Sequence, residues 1–344
     1  MTVGVIDFDF LDRAGLLPAP RAVLAAVDRA FPVLLTPDVL AAITGPNRSA
    51  AIAAQFLPSP RELTIAEHER TDPIGDRRWS PLPGLVHRYP DRVLLKLTSA
   101  CLVHCRFCFR RDLLADEASD MTTTGLAAAL DYIRANDQIW EVVLTGGDPL
   151  TLGSGKLGRV LTALDQIGHV EVLRLHSRVP VVAPERITAD LIGQLCRRAA
   201  VYLVVHANHA DELTPGVATA VAGLASAGVG LLSQTVLLRG VNDSVEALTR
   251  LMRRLVAIGI KPYYLHHLDP ARGTGHFHVS LAEGQRLVAA LRGRVSGLCQ
   301  PSYVLDIPGG YGKVPVGPVY LEPDTGDGVR RVTDFQGGVH EVKA

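Results

Sequence analysis

The sequence predicts an α/β protein whose core is a parallel β-sheet or barrel. Short apolar runs alternate with amphipathic helical patterns through most of the chain after residue 90, at nearly uniform spacing. Such alternation is typical of parallel strands joined by crossover helices. Polar residues follow the carboxyl end of each apolar run, where the chemistry of these folds gathers. The first run also leads directly into three closely spaced cysteines.

The overall composition is that of an ordinary globular protein, with 344 residues and a formal net charge of zero. This balance gives no general attraction to nucleic acid or to an anionic membrane, so neither is expected as a partner. The opening stretch MTVGVIDFDF lacks the basic start and the apolar run of a signal peptide. The most apolar segment, residues 222–238, contains Ser233 and Gln234 and is too short for a membrane span. We therefore expect a soluble, cytoplasmic protein.

Residues 1–86 are predicted to form an N-terminal helical region in which prolines separate short helices. Thr36 suits the N-cap of one of these helices, with Pro37 at its first position. The next helical pattern ends before Pro58 and Pro60, because proline cannot continue a helix.

Residues 87–300 are predicted to form the barrel of six strand–helix units. The predicted strands cover residues 93–98, 141–144, 170–175, 201–206, 231–237 and 263–268. Residues 301–344 follow as a C-terminal segment with one further strand, YVLD, and hairpin-like stretches around VYLEP and RRVTDF.

The three clustered cysteines, Cys101, Cys105 and Cys108, are the strongest chemical signal in the sequence. An odd total of five cysteines without an export signal argues against a disulfide framework. Zinc would need a fourth ligand, which a histidine near a strand end could supply. Three thiolates in one loop also suit a [4Fe–4S] cluster that leaves one iron open. Cys196, within an apolar helical pattern, and Cys299 are predicted to be buried core thiols.

The stretch CLVHCRFC, with its C-x3-C-x2-C spacing after the first strand, resembles the signature of the radical SAM superfamily. The resemblance implies a partial (β/α)6 barrel, a [4Fe–4S] cluster on the three cysteines, and S-adenosylmethionine on the open iron. It also implies that Phe107 stacks on the adenine and that TGGD receives the methionine amino group. The implied S-adenosylmethionine contacts are Phe107, Gly146, Gly147, Asp148, Ser177, Arg178, His206 and Gln234.

A narrower resemblance, covering roughly residues 70–340, is to the lysine 2,3-aminomutase family. The segments that carry it are HRYPDRVLL, CRFCFRR, TGGDPL, HSRVPVV, HANHADEL, TVLLRGVND, PYYLHHLD and DIPGGYGK. It implies an isomerase that converts L-lysine to β-lysine by moving the amino group from Cα to Cβ. It also implies a further cofactor, pyridoxal 5′-phosphate. By this resemblance Lys313 is the lysine that binds pyridoxal phosphate covalently, and Arg88 and Arg92 are the ligands of its phosphate.

The same resemblance assigns three charged residues to the substrate. Arg110 is implied to pair with the substrate α-carboxylate, and Asp269 and Asp306 to hold the distal ammonium of lysine. Two carboxylates inside a barrel repel each other unless a cation lies between them. Such a pair would favour lysine and reject glutamate, whose side chain carries the same charge as the aspartates.

Several alternatives remain open at the level of sequence. CRFCFRR, with Phe109 after the last cysteine, resembles the related branch that makes β-lysine for modification of elongation factor P. The substrate could also be arginine or another ω-amino acid. A non-catalytic iron–sulfur electron carrier or sensor is a third reading, but it gives no role to Lys313, Asp269 and Asp306. For the enzyme we expect a small-molecule amino acid substrate, a flavodoxin- or ferredoxin-type electron donor and a homodimer.

Overall fold

The computed structural model describes residues 6–113, 120–323 and 329–343. Its centre is a nine-stranded sheet in which seven consecutive strands run parallel in chain order. The strands of the described chain are Ile6–Asp7 (β1), Leu34–Leu35 (β2), Leu85–Tyr89 (β3), Arg92–Thr98 (β4), Glu141–Gly146 (β5), Val172–Ser177 (β6), Ala200–His206 (β7), Gly230–Val236 (β8), Lys261–His266 (β9), Ser302–Asp306 (β10), Lys313–Pro315 (β11), Val329–Thr333 (β12) and Val339–Lys343 (β13).

The sheet is open, because an antiparallel strand forms each of its edges. β3 pairs with β4 at one edge, and β11 pairs with β10 at the other. Six strand–helix units and a seventh parallel strand lie between these edges, which confirms the predicted partial (β/α)6 barrel. Each of the six predicted barrel strands overlaps an observed one, from β4 to β9, and YVLD lies in β10.

The helices that follow the strands begin at residues suited to capping. Thr122, Thr188, Thr214, Ser244 and Ser280 each accept a hydrogen bond from the backbone N–H three residues later. The helices are Phe8–Arg13 (α1), Arg21–Ala30 (α2), Pro37–Thr44 (α3), Ala50–Phe56 (α4), Thr123–Ala135 (α5), Ser154–Asp165 (α6), Val179–Val182 (α7), Ala189–Leu195 (α8), Pro215–Ser226 (α9), Val245–Ala257 (α10) and Leu281–Leu291 (α11).

Side chains alternate along β4 between the core and the interior of the barrel. Val93, Leu95 and Leu97 are buried in the main hydrophobic core, against the covering helices. Because successive side chains of a strand point to opposite faces, Arg92 and Lys96 lie on the other face. The strand therefore carries cations into the barrel as well as apolar groups into the core.

The N-terminal helices belong to the same hydrophobic core as the barrel. Thr36 caps α3 and Pro37 is its first residue, as predicted, while α4 ends at Phe56 ahead of Pro58. The backbone N–H of His104, in the cysteine loop, donates to the Leu34 carbonyl. The N-terminal region thus forms one wall of the cysteine loop. The proposed domain boundaries at residues 86 and 300 stay a prediction.

A buried ion network fixes this wall to the cysteine loop. Glu62 is fully buried and accepts hydrogen bonds from Arg106, at 2.6 Å from its Nη2, and from Arg111. Arg106 Nη1 also donates to the carbonyl of Phe31. Arg106 lies between Cys105 and Phe107, so the network restrains the loop from within.

Glu62→Ala is expected to destabilise the protein by about 3–5 kcal/mol, because it leaves two buried guanidinium groups without their carboxylate. Chemical denaturation of this variant and of wild type measures the difference. Glu67→Ala, at an exposed position of the same segment, is the matched control and should change stability by less than about 0.5 kcal/mol. Equal stability of the Glu62 and Glu67 variants would contradict this role.

Two predictions about the remaining cysteines had opposite outcomes. Cys299 is buried, as predicted. Cys196 is exposed, so its prediction as a core thiol is wrong. The helix α8 ends at Leu195, and Cys196 is its C-cap, outside the helical periodicity on which the prediction relied.

The C-terminal tail carries the predicted hairpin. β12, which contains RRVT, pairs with β13, and Leu321 of VYLEP bridges to Val332. Within the described ranges no helix is both long and apolar enough to cross a membrane.

Candidate active site

A cavity at the carboxyl ends of the parallel strands gathers most of the predicted site residues. Its lining includes the three clustered cysteines and side chains from the ends of five successive strands or their following loops. The predicted site residues that line it are Cys101, Cys105, Phe107, Cys108, Arg110, Gly146, Gly147, Asp148, Ser177, Arg178, His206, Gln234 and Asp269. Of the other predicted residues, Arg88, Arg92, Asp306 and Lys313 lie outside this lining.

The cysteine loop presents three free thiols to this cavity. Burial raises the pKa of all three, that of Cys108 to about 11, so the free side chains are neutral thiols until a metal displaces their protons. Across the described residues, no three His, Cys, Asp or Glu side chains converge on a point that could hold a single metal ion. An iron–sulfur cluster binds each thiolate to a different iron, so three thiols of one loop that line the same cavity fit it.

Arg178 is tied to the cysteine loop. Its Nη1 donates to Cys105 Sγ at 3.1 Å, and its Nη2 donates at 2.6 Å to both Gln55 and Glu212. Its guanidinium also lies over the Phe107 ring. These contacts place Arg178 beside a predicted cluster ligand, and its role in binding S-adenosylmethionine stays a prediction. Sequence reasoning missed Gln55, which the packing of α4 on the barrel brings here, and Glu212, which lies in the turn after β7.

The TGGD segment is locked to the next strand end through its acidic side chain. Asp148 accepts hydrogen bonds from Ser177 Oγ at 2.8 Å and from the Arg178 backbone N–H at 2.7 Å. Gly146 has a φ of +115°, which favours glycine, and a Cβ at Gly147 would overlap the Ala100 carbonyl oxygen. The N–H groups of Gly147 and Asp148 donate to the carbonyls of Thr98 and Ala100, so a ligand of this segment would meet its backbone carbonyl groups rather than these N–H groups or the carboxylate.

His206 and Gln234 line the same cavity at the ends of adjacent strands. His206 Nε2 lies 3.2 Å from Nδ1 of His176, a strand-end residue to which the sequence analysis assigned no role. Burial lowers the pKa of both rings, that of His206 to about 3. Both imidazoles are therefore neutral hydrogen-bonding groups at physiological pH.

Lys313 and Asp306 form an ion pair between β10 and the edge strand β11. The Lys313 Nζ donates to Asp306 Oδ2 at 2.6 Å, and His266 Nδ1 lies 3.5 Å from the same oxygen. Burial acts to raise the pKa of Asp306, but His266 and the Lys313 charge outweigh it and hold the pKa below its usual range. The lysine predicted to bind pyridoxal phosphate thus neutralises one of the aspartates predicted to bind substrate.

Asp269 is the second carboxyl group of this pair. Burial, followed by the negative charge of Asp306, raises its pKa to about 8. Its Oδ1 is buried and accepts no hydrogen bond from the described residues. The two aspartates are therefore close enough to interact electrostatically, and one of them has an unpaired oxygen that a cationic donor would satisfy.

The raised pKa of Asp269 predicts how stability depends on pH without substrate. Between about pH 4 and pH 8 the folded protein holds a proton that the unfolded chain has released, so this group makes stability fall as pH rises. Asp306 acts in the opposite sense, but only below its usual pKa near 4. Wild type should therefore lose about 1 kcal/mol or more of its free energy of unfolding between pH 5 and pH 8 through this group, and Asp269→Asn should not. Urea unfolding at several pH values measures this free energy in both proteins. The same dependence on pH in Asp269→Asn and in wild type would contradict the burial of this carboxyl.

The glycine-rich loop before Lys313 is packed against the segment around residue 76. Gly309, Gly310 and Gly312 all have φ values near +90°. A Cβ at Gly75 would lie 2.5 Å from the Gly310 backbone nitrogen, and Trp79 Nε1 donates to the Gly310 carbonyl at 2.7 Å. The close approach fixes the loop, and with it the position of Lys313.

Asp76, to which the sequence analysis gave no role, joins two of the predicted arginines. Its Oδ1 accepts from Arg88 at 3.1 Å, and its Oδ2 accepts from Arg110 at 2.9 Å. Burial acts to raise its pKa, but the charge of Arg110 outweighs it and the pKa lies below its usual value. Arg110 Nη1 also donates to Thr145 Oγ1. One buried aspartate therefore holds both Arg88, the implied ligand of the cofactor phosphate, and Arg110, the implied ligand of the substrate carboxylate.

Arg92 lies in a more open setting than Arg88. Its guanidinium contacts the neighbouring Asp91 and lies 3.9 Å from the centre of the Tyr89 ring. The Tyr89 hydroxyl accepts the backbone N–H of Lys313 at 2.8 Å. Tyr89 therefore connects Arg92 to the residue after the glycine-rich loop.

Comparison with known proteins agrees with this arrangement. Residues 288–339, which include Asp306 and Lys313, match the model of the LAM_C family, described as lysine-2,3-aminomutase. The chain is 42% identical over 287 residues to L-lysine 2,3-aminomutase of Acetoanaerobium sticklandii, covering 83% of this chain and 69% of that protein. It is 40% identical to the enzyme of the same name from Clostridium subterminale, covering 86% and 71% of the two chains. The chain belongs to the lysine 2,3-aminomutase family.

Membership in this family confirms the predicted enzyme class, an isomerase, and the predicted set of cofactors. A glutamate 2,3-aminomutase from Clostridioides difficile is also similar, at 34% identity over 92% of this chain and 75% of its own. Similarity to aminomutases therefore establishes an amino acid as the kind of substrate. The side chain of that amino acid has to be argued from the site itself.

Proposed function

We propose that this aminomutase converts L-lysine to β-lysine. The observation that carries the proposal is the pair of buried carboxyl groups, Asp269 and Asp306, at the ends of neighbouring strands. One of them is satisfied by the ammonium of Lys313, and the other has an unpaired oxygen. This part of the site is built to receive a cation.

Charge complementarity selects among amino acid side chains. A distal ammonium would lower the raised pKa of Asp269 and satisfy its free oxygen. A glutamate side chain would instead add a third carboxylate to a buried site, at a cost of several kcal/mol. The aspartate pair therefore favours lysine over glutamate.

The residues present fit the family's cofactors. Cys101, Cys105 and Cys108 would hold the [4Fe–4S] cluster, and the backbone of Gly146 and Gly147 would face S-adenosylmethionine. Lys313 would bind pyridoxal phosphate, in a pocket where its amine lies 5.5 Å from the Tyr264 ring centre. When bound, these cofactors supply the radical and electron-sink chemistry for the amino migration.

The protein's own contribution is orientation and charge. Arg110, held by Asp76 and Thr145, would anchor the substrate α-carboxylate, and the aspartate pair would anchor its distal end. Fixing both ends of a flexible substrate sets the position of its Cα and Cβ, and such positioning lowers the entropic part of the barrier. The neutral His176 and His206 add no charge beside the reacting carbons.

The proposal includes the setting in which the enzyme works. We place it in the cytoplasm as a homodimer, with a flavodoxin- or ferredoxin-type protein as electron donor. Supply of β-lysine for modification of elongation factor P is a use of the product that would need no change in the chemistry. Arginine is the alternative substrate, since it also carries a distal cation.

An anaerobic assay of the reconstituted protein tests the proposal. The mixture contains reductant, S-adenosylmethionine, pyridoxal phosphate and L-lysine, and β-lysine is detected by chromatography. Appearance of β-lysine in proportion to enzyme is the expected result. Absence of β-lysine from a protein that holds both its cluster and its pyridoxal phosphate would contradict lysine as the substrate.

A further inference from the structure

Lys96 is a cation inside the barrel to which no role has yet been given. It lies on the inward face of β4, where it pairs in register with Thr145 of β5. Thr145 is the residue that holds Arg110 Nη1. Lys96 is half-buried, and its ammonium, among the described residues, makes no hydrogen bond and has no carboxylate within 4 Å.

A second cavity opens beside Lys96. Lys96, Arg77 and Arg110 line it together with Gly146 and Gly147, which also line the cavity of the cysteines. Of the residues that line this second cavity, Asp120 is the acidic one, and its Oδ1 already accepts hydrogen bonds from Ser99 and Thr98. The cavity therefore has an excess of positive charge next to the proposed substrate site.

The nearest carboxylates are already engaged. Asp76 is shared between Arg88 and Arg110, and Asp72 accepts the backbone N–H groups of Asp76 and Arg77. Burial, and then the positive charge of Arg110, lowers the pKa of Lys96, while Asp76 and Asp72 oppose that shift. An anion in the cavity would remove the repulsion between Lys96 and Arg110.

Arg110 has two of its N–H groups already in use. Its Nη1 donates to Thr145 and its Nη2 to Asp76, while its buried Nε has no hydrogen-bond partner among the described residues. The N–H groups that remain can meet a carboxylate, but Asp76 already takes part of the Arg110 charge. The ammonium of Lys96 brings up to three further donors and an unbalanced charge to the same place.

We propose that Lys96 and Arg110 together bind the α-carboxylate of an amino acid, and that Lys96 makes a free carboxylate a requirement for binding. This inference rests on the proposed function, because it takes the ligand to be the amino acid substrate. S-adenosylmethionine carries the same group, an α-amino carboxylate, so the test has to distinguish the two sources. Lys96 is in either case a specificity-determining residue.

The test measures binding to the reconstituted holoenzyme rather than turnover. Calorimetry without S-adenosylmethionine compares L-lysine with L-lysinamide, which has the same side chain but no carboxylate. Wild type should bind lysine at least about tenfold more tightly than the amide, and Lys96→Met should lose that preference while its affinity for the amide stays unchanged. Lys96→Arg should keep most of the preference. Lys343→Met, at an exposed position, is the matched control.

The remaining arms separate the possible sources of the carboxylate and the possible failures. If Lys96→Met weakens binding of S-adenosylmethionine and leaves the lysine preference intact, the carboxylate is that of S-adenosylmethionine. If wild type binds no lysine, the same comparison with arginine and argininamide separates failure of the proposed substrate from failure of the Lys96 site. The proposal would be overturned if Lys96→Met weakened binding of lysine and lysinamide equally, or weakened binding of no ligand. It would also be overturned if wild type bound the acid no more tightly than the amide. Lys96→Gln, measured in parallel, excludes a result due to misfolding of the methionine variant.

Discussion

Lys313→Ala is expected to abolish turnover and to release pyridoxal phosphate from covalent attachment. Loss of the nucleophile that binds the cofactor should reduce kcat by about 10³-fold or more. The variant also leaves Asp306 without the ammonium that lies 2.6 Å from it. The distal ammonium of the substrate can still pair with Asp306, so binding of lysine should not be lost together with turnover. Reduction with borohydride followed by mass spectrometry of the tryptic peptides shows whether residue 313 carries the cofactor.

The control for this variant is Lys343→Ala, which removes an exposed lysine from β13. It should keep covalent cofactor and full activity. Retention of covalently bound pyridoxal phosphate by Lys313→Ala would show that a different lysine binds it. In that case the ion pair with Asp306 would be purely structural.

Asp269→Asn and Asp306→Asn are expected to lower kcat/KM for L-lysine by about 10- to 10²-fold each. Each change replaces a buried carboxylate with a neutral amide opposite the substrate's ammonium, and hydrogen bonds between charged groups contribute about 1.5–3 kcal/mol. Because the distal ammonium is bound in both the ground state and the transition state, most of the loss should appear in KM. Steady-state kinetics over a range of lysine concentrations measures kcat and KM separately.

The two aspartate variants should differ in one respect. Asp306→Asn also removes the partner of Lys313 and of His266, so it should weaken retention of pyridoxal phosphate, whereas Asp269→Asn should not. Asp137→Asn, on an exposed loop, is the control and should leave both readouts unchanged. Unchanged KM values in both site variants would contradict the assignment of the distal ammonium to this pair.

The sequence predicted the fold well, because the features that determine it are local and periodic. The strand from residue 201 to 206 and the helix that Thr36 caps are examples in which apolar spacing and a capping residue agree with the structure. The strand-end residues of the site could be predicted for the same reason, since parallel strands bring their carboxyl ends to one edge. Cys196 shows the limit of such prediction, because its predicted burial required the helix to extend one residue beyond Leu195.

The supporting residues could not be predicted, because they depend on contacts between distant segments. Glu62 and Gln55 come from the N-terminal region. Glu62 binds Arg106 of the cysteine loop, 44 residues later in the chain, and Gln55 binds Arg178 after β6, 123 residues later. Asp76 lies in a stretch whose pattern indicates only a turn, yet it holds Arg88 and Arg110 together. A charged residue gives no local periodic signal that distinguishes a buried bridge from a solvated surface group.

The most direct test of the account is a competition among three substrates in one reaction. Reconstituted wild-type enzyme receives equal concentrations of L-lysine, L-arginine and L-glutamate, and the corresponding β-amino acids are measured at low conversion. The ratio of products then equals the ratio of kcat/KM values. The aspartate pair predicts that β-lysine predominates and that β-glutamate is at least about 10³-fold less abundant. A comparable yield of β-glutamate would contradict the claim that two buried carboxylates select the substrate's distal cation.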